Sequence, residues 1–229
     1  MHDSSSGGRP LVIVGAGGLA RETVTAIAMA SEVGAAPHRI VGFLDDDPDL
    51  HGTTVAGHPV LGPLAAVVEH ADADVVLCVG SPRRPAGRGR VSELLGLDDE
   101  RYTTVIHPHS SLPDTSRVGA GSIVLAGVVS TTPASIGRHV VLMPQVVLTH
   151  DVVVEDFATL ASGVRLSGSV RVGRAAYIGA GACVREDLVI GAGAVIGMGS
   201  VVLQDVPAGQ TWAGVPARPL PHRLASEAV

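Results

Sequence analysis

The chain contains no lysine: arginine supplies all 16 basic residues, against 22 acidic ones, for a formal net charge of −6. Basic residues form no run, and aromatics make up only 2% of the 229 residues. Both shortages argue against a nucleic-acid partner, which needs a basic footprint and, for single strands, aromatic stacking platforms. The two cysteines, Cys78 and Cys183, form no disulfide framework and read as buried thiols of a reducing cytoplasm. Mean hydropathy is +0.37. Still, no stretch approaches the ~20 continuous apolar residues of a spanning helix. A cytoplasmic protein without a membrane span is therefore expected. Residues 1–10 are small and polar, lack an apolar signal core, and read as a loose tail.

What is present is aliphatic. Apolar residues reach 46%, mostly Val, Ala, Leu and Ile, beside 29 glycines. The first half alternates strand and helix. Leu11–Val14 is a short buried strand ending at Gly15, Leu19–Ala30 has helical composition, and Ile40–Leu44 is a second strand closed by Asp45-Asp46-Asp47-Pro48. A third strand, Val75–Val79, stops at Gly80. Strand, helix and strand with glycine-rich exits predict a parallel sheet with crossover helices, whose ligands bind at the carboxyl ends of the strands.

Gly15-Ala16-Gly17-Gly18-Leu19-Ala20 satisfies G-x-G-x-x-A at such an exit. Glycines there let a backbone approach phosphate, and the following helix N-terminus adds amide donors. Asp45 lies at the end of the next strand, where a ribose-binding acid belongs. A dinucleotide-binding domain is a rival reading, but fewer than 100 residues remain between this loop and the second half, too few for two mononucleotide halves and a substrate domain. A tight turn without ligand is the bland alternative.

The second half obeys a different period. From Ile106 to Val202 every sixth residue is apolar, in 17 hexads with one exception, Ser130. Four residues later in many hexads stands a small or aliphatic residue, such as Val128, Val140, Val164 or Ala182. A helix needs a period near 3.6 and an ordinary strand a period of 2. A sustained period of six fits a solenoid of short strands and turns.

This pattern resembles the hexapeptide-repeat acyltransferases, whose repeats form a left-handed parallel β-helix with three hexads to a coil, so that residues 18 apart stack. A small front domain, then these repeats, then Gly214-Val215-Pro216-Ala217-Arg218, looks like the bacterial sugar-nucleotide N-acetyltransferases of the bacillosamine and perosamine type. Sialic-acid O-acetyltransferases share that layout. The resemblance implies an α/β, Rossmann-like nucleotide-sugar-binding domain over 11–105, a left-handed β-helix over 106–207 and a C-terminal tail over 208–229. It implies a homotrimer with active sites between subunits, an acetyl-CoA co-substrate, no metal, and a nucleotide-linked 4-amino-4,6-dideoxy sugar as acceptor.

Carried over residue by residue, the resemblance makes His150 the general base, Asp151 the acid that raises its basicity, and the Gly168 amide a donor to the thioester oxygen. Attack on a thioester needs a proton acceptor near neutral pH, which suits histidine. Gly168 stands 18 residues after His150; its alternative role is a left-handed turn. Acetyl-CoA contacts map onto Thr159, Ala180 and Met198, with Arg218 as a phosphate clamp or merely a cap. Gly17, Gly18, Leu19, Asp45, Asp46 and Gly80 map onto the nucleotide-sugar site. Arg83 and Arg84, after Gly80, either contact a diphosphate or lie solvated. The chain departs from the family at Met143 and Thr159, where some members carry Asn and a second His. Other readings are O-acetylation of a sialic-acid-like sugar, a β-helix carbonic anhydrase needing three converging histidines, and a non-catalytic trimeric module.

Overall fold

The computed structural model describes residues 8–34 and 38–221. Part of the expected N-terminal tail and the end of the C-terminal one lie outside that range. The front domain is a five-stranded sheet in the order β3-β4-β2-β1-β5, with β1 at Arg9–Val14, β2 at His38–Leu44, β3 at Thr54–Val55, β4 at His58–Gly62 and β5 at Asp74–Leu77. β1 runs parallel to both β2 and β5, while β3 and β4 form an antiparallel hairpin at the edge. Arg9 and Pro10 belong to β1 rather than to a tail. Leu11–Val14 are wholly buried, as a parallel strand covered on both faces must be. Helix α1, Gly18–Glu32, buries Ala20, Thr23, Ala26, Ile27 and Ala30, one stripe at helical spacing. Helix α2 spans Gly87–Leu95.

The second half is the left-handed β-helix that the hexads imply. Two-residue strands stack into three parallel sheets, and residues 18 apart pair: Leu142 with Leu160, Leu160 with Ile178, Leu148 with Leu166. The sixth-residue positions fill the triangular interior. Leu142, Leu148, Leu160, Leu166 and Ile178 are all buried, each stack worth roughly 1.5–3 kcal/mol per large aliphatic side chain. Ser130, the exception, is buried as well, and its hydroxyl donates to the Thr132 carbonyl at 2.7 Å, so its polarity is satisfied locally. Ile106 is exposed because it lies at the open first turn.

The expected C-terminal tail is instead partly structured. Thr211–Gly214 pairs parallel to the coil, Thr211 opposite Val195, which makes the last turn two residues short of eighteen. Ala217–Pro219 then folds back antiparallel, and Trp212 and Ala217 close the end of the core. The tail lacks the six-residue signal because its register is shortened here.

The front domain sits on the sheet that carries Ile123 and Val141. Ala26, Ile27 and Phe43 share one buried cluster with Val105, Ile123, Leu125 and Val141, with Met143 packed against it. Among the described residues no helix is long and apolar enough to cross a membrane.

Candidate active site

Each coil turns three corners between its short strands. The corner after Val147–Leu148 carries His150 and Asp151. Neighbours on a strand point to opposite faces, but Asp151 has φ 59°, the left-handed conformation. That twist turns both side chains outward, and Asp151 Oδ2 lies 2.9 Å from His150 Nδ1. A carboxylate only accepts, so Nδ1 carries the hydrogen and Nε2 keeps its lone pair. Both side chains face solvent, 63% and 78% exposed.

Gly168 lies one coil further at the same corner, directly beneath the ring. A Cβ at position 168 would overlap the His150 imidazole. The turn there does not require glycine: the left-handed residue is Ser169, at φ 60°. Gly168 is glycine because the ring occupies the space of a side chain.

The glycine loop leaves the carboxyl end of β1. Nothing lies within 4 Å of where side chains would stand at Gly17 or Gly18, so the α1 N-terminus opens onto free space. Asp45 shapes this loop: Oδ2 accepts from the Ala16 amide at 2.8 Å and Oδ1 from the Asp47 amide at 3.0 Å. Asp46 is exposed and accepts from the Leu64 amide at 2.9 Å. Gly80 follows β5 at the same sheet end. Arg83 and Arg84 are exposed in a turn.

The remaining expected residues are spread out. Ala180 and Met198 stack on a different corner from His150, and Met198 is 81% exposed. Arg218 lies exposed on the terminal hairpin, donating to the Ala217 carbonyl at 2.8 Å. Thr159 is on the sheet under the front domain, where its hydroxyl accepts from Arg88 Nη2 at 2.9 Å. Within one chain, then, His150, Asp151 and Gly168 come together; Gly17, Gly18, Leu19, Asp45 and Gly80 form a second group.

Two buried groups escaped sequence reasoning. Arg88 is 2% exposed and lies between the domains, and burial pulls its pKa down to about 10. His139 is 1% exposed, stacked on Phe157 at 5.0 Å and edge-on to Tyr102 at 4.4 Å. Burial, helped by the nearby Arg88 and Arg138 charges, lowers its pKa to about 4. No spacing signals either one, although Gly-Arg-Gly at a helix start was a hint of a close approach.

Residues 10–84 match the PglD N-terminal domain family. No curated protein matches the chain by sequence. Among solved structures, the acetyltransferase domain of PglB from Neisseria gonorrhoeae, in complex with acetyl coenzyme A, is 30% identical with a TM-score of 0.79, over 93% of this chain and 100% of that one. WeeI from Acinetobacter baumannii is also 30% identical, with a TM-score of 0.77, over 92% of this chain and 99% of that one. PerB from Caulobacter crescentus, in complex with CoA and GDP-perosamine, is 28% identical with a TM-score of 0.80, over 93% and 97%. With repeats, front domain and overall fold in agreement over nearly the whole length, the chain is an acyltransferase and belongs to the hexapeptide-repeat sugar-nucleotide N-acetyltransferases of the bacillosamine and perosamine type.

Proposed function

We propose that this protein transfers the acetyl group of acetyl-CoA to the amino group of a nucleotide-linked 4-amino-4,6-dideoxy sugar, with His150 as general base. The observation that carries the mechanism is the His150–Asp151 pair at 2.9 Å, laid over a glycine that leaves room for nothing else. Asp151 holds the ring in the tautomer that leaves Nε2 basic and stabilises the imidazolium that forms. As the amine nitrogen bonds to the thioester carbon, Nε2 takes its proton; as the carbon–sulfur bond breaks, the proton passes to the departing thiolate. The Gly168 amide is placed one coil from His150, ~4.8 Å along the solenoid, to donate to the carbonyl oxygen as charge develops.

The nucleotide end is assigned to the front domain, where Gly17, Gly18 and Leu19 offer helix N-terminal amides to phosphate. Asp45 supports that loop from below and faces it with its carboxylate, and Gly80 bounds the site opposite. Acetyl-CoA is assigned to Thr159, Ala180, Met198 and Arg218. These do not meet His150 within one chain, so the reading requires neighbouring subunits of a trimer to pack corner to corner.

A mass-spectrometric screen of UDP-, dTDP- and GDP-linked amino sugars with acetyl-CoA tests this. One acceptor gains a single acetyl group on nitrogen; no acetylation of any of them sinks the reading. His150→Ala and His150→Asn abolish turnover while the folded oligomer survives, and undiminished activity rejects His150 as the base.

A further inference from the structure

We propose that Arg88 is a positioning residue for acetyl transfer: it locks the nucleotide-holding loop at Val79–Gly80 to the coil bearing Thr159, and so fixes where the sugar end of the substrate lies. The inference rests on the nucleotide-sugar reading above. Its basis is a five-way set of hydrogen bonds. Nη1 donates to the Val79 carbonyl at 2.8 Å, in the exit from β5. Nε donates to the His139 carbonyl at 2.7 Å. Nη2 donates to the carbonyls of Phe157 at 2.9 Å and Ala158 at 3.1 Å, and to the Thr159 hydroxyl at 2.9 Å. One planar group therefore ties the front domain to two successive coils.

The arrangement is costly and specific. Among the described residues no carboxylate pairs with Arg88, so a buried guanidinium is held by four peptide carbonyls and one hydroxyl. Burying an ion without a counter-ion is expensive. An apolar side chain of similar length fills the same space more cheaply. What it cannot do is fix several acceptors in one geometry, which the rigid fork does. The local chain is also shaped around this contact. Helix α2 opens Gly87-Arg88-Gly89 in spite of glycine's poor helix propensity. A Cβ at Gly80 would stand 3.3 Å from Arg88 Nη1, tighter than ordinary contact. The guanidinium therefore lies directly beneath the loop assigned to the nucleotide.

A joint of this kind matters only to a substrate that spans both domains, which gives a test that a purely structural role does not pass. Two acceptors are compared: the nucleotide-linked amino sugar found active in the screen, and the same amino sugar without the nucleotide. In Arg88→Met, kcat/KM for the linked acceptor falls on the order of 10²-fold, the scale of a small misplacement. The rate on the free sugar, measured at saturating acetyl-CoA, stays within about twofold of the parent. Arg88→Lys, which keeps the charge but not the fork, recovers part of the loss. Should Arg88→Met not accumulate as folded protein, Arg88→Lys is compared alone, with a smaller loss confined to the linked acceptor. Equal losses on both acceptors, or none on the linked one, overturn the proposal. A parent enzyme that acetylates no nucleotide-linked sugar instead sinks the functional reading first, and this inference with it.

Discussion

Gly168 has no side chain to contribute, yet His150 cannot lie where it does without that absence. Gly168→Ala puts a methyl group into the imidazole and swings the ring away from its carboxylate. The expected outcome is a kcat lower on the order of 10²-fold, with an unchanged circular dichroism spectrum, because the position keeps ordinary backbone angles. His139 acts on stability rather than chemistry. The folded chain holds it neutral down to about pH 4, whereas the unfolded chain protonates it near its ordinary 6.5. The unfolded state therefore binds more protons between those values, and stability falls as pH drops through the window, by roughly 3 kcal/mol at most. His139→Asn tolerates the same left-handed backbone, φ 53°. Urea denaturation of the two proteins from pH 7 to pH 4 is expected to show a flatter profile for the variant; parallel profiles refute the assignment. Cys78 is silent at this scale: burial pushes its thiol up to about 12, so it resists alkylation until the protein unfolds.

At the level of elements, the solenoid shows how a monotonous pattern becomes a specific core. Each coil adds a layer of Leu, Val or Ile over the one before, and Leu160 has Leu142 on one side and Ile178 on the other. Leu160→Ala leaves a hole that neither neighbour can fill, at a cost of about 2–5 kcal/mol, readable as a lower urea midpoint. This periodicity was plain in the sequence because the interior of a three-sided coil allows one kind of residue at one interval. The corners were less legible. Gln145, Asp151, Phe157 and Ser169 all take left-handed angles there, a backbone feature that side-chain hydrophobicity does not report. The proposed catalytic pair was visible as His-Asp at a corner, but whether the two side chains meet depended on that hidden twist. The β3–β4 hairpin and the terminal hairpin were not legible because their strands are only two to five residues long, and Arg88 was not because its partners on the coil lie in distant segments. A buried arginine satisfied by carbonyls and a hydroxyl leaves no charge partner to find along the chain.

For the whole molecule, the link between domains decides how it unfolds. Arg138 bridges Asp99 of the front domain and Asp156 of the coil, but exposed pairs of this kind contribute little. The buried apolar seam from Ile27 to Val141 and the Arg88 hydrogen bonds carry the attachment. The lone tryptophan, Trp212, is buried at the far end of the coil, while among the described residues both α-helices lie in the front domain. A single cooperative unit predicts coincident thermal transitions by tryptophan fluorescence and by helical circular dichroism; separated transitions would show that the seam is weak. The terminal hairpin has a further consequence. A stack of parallel strands with an open edge is a template to which another molecule could add, rung upon rung. By reversing direction at Ala217–Pro219 and placing a proline on the outermost strand, the chain spoils one of its three edges as a seed, so the hairpin serves as a stopper against fibrous growth as well as a lid on the core.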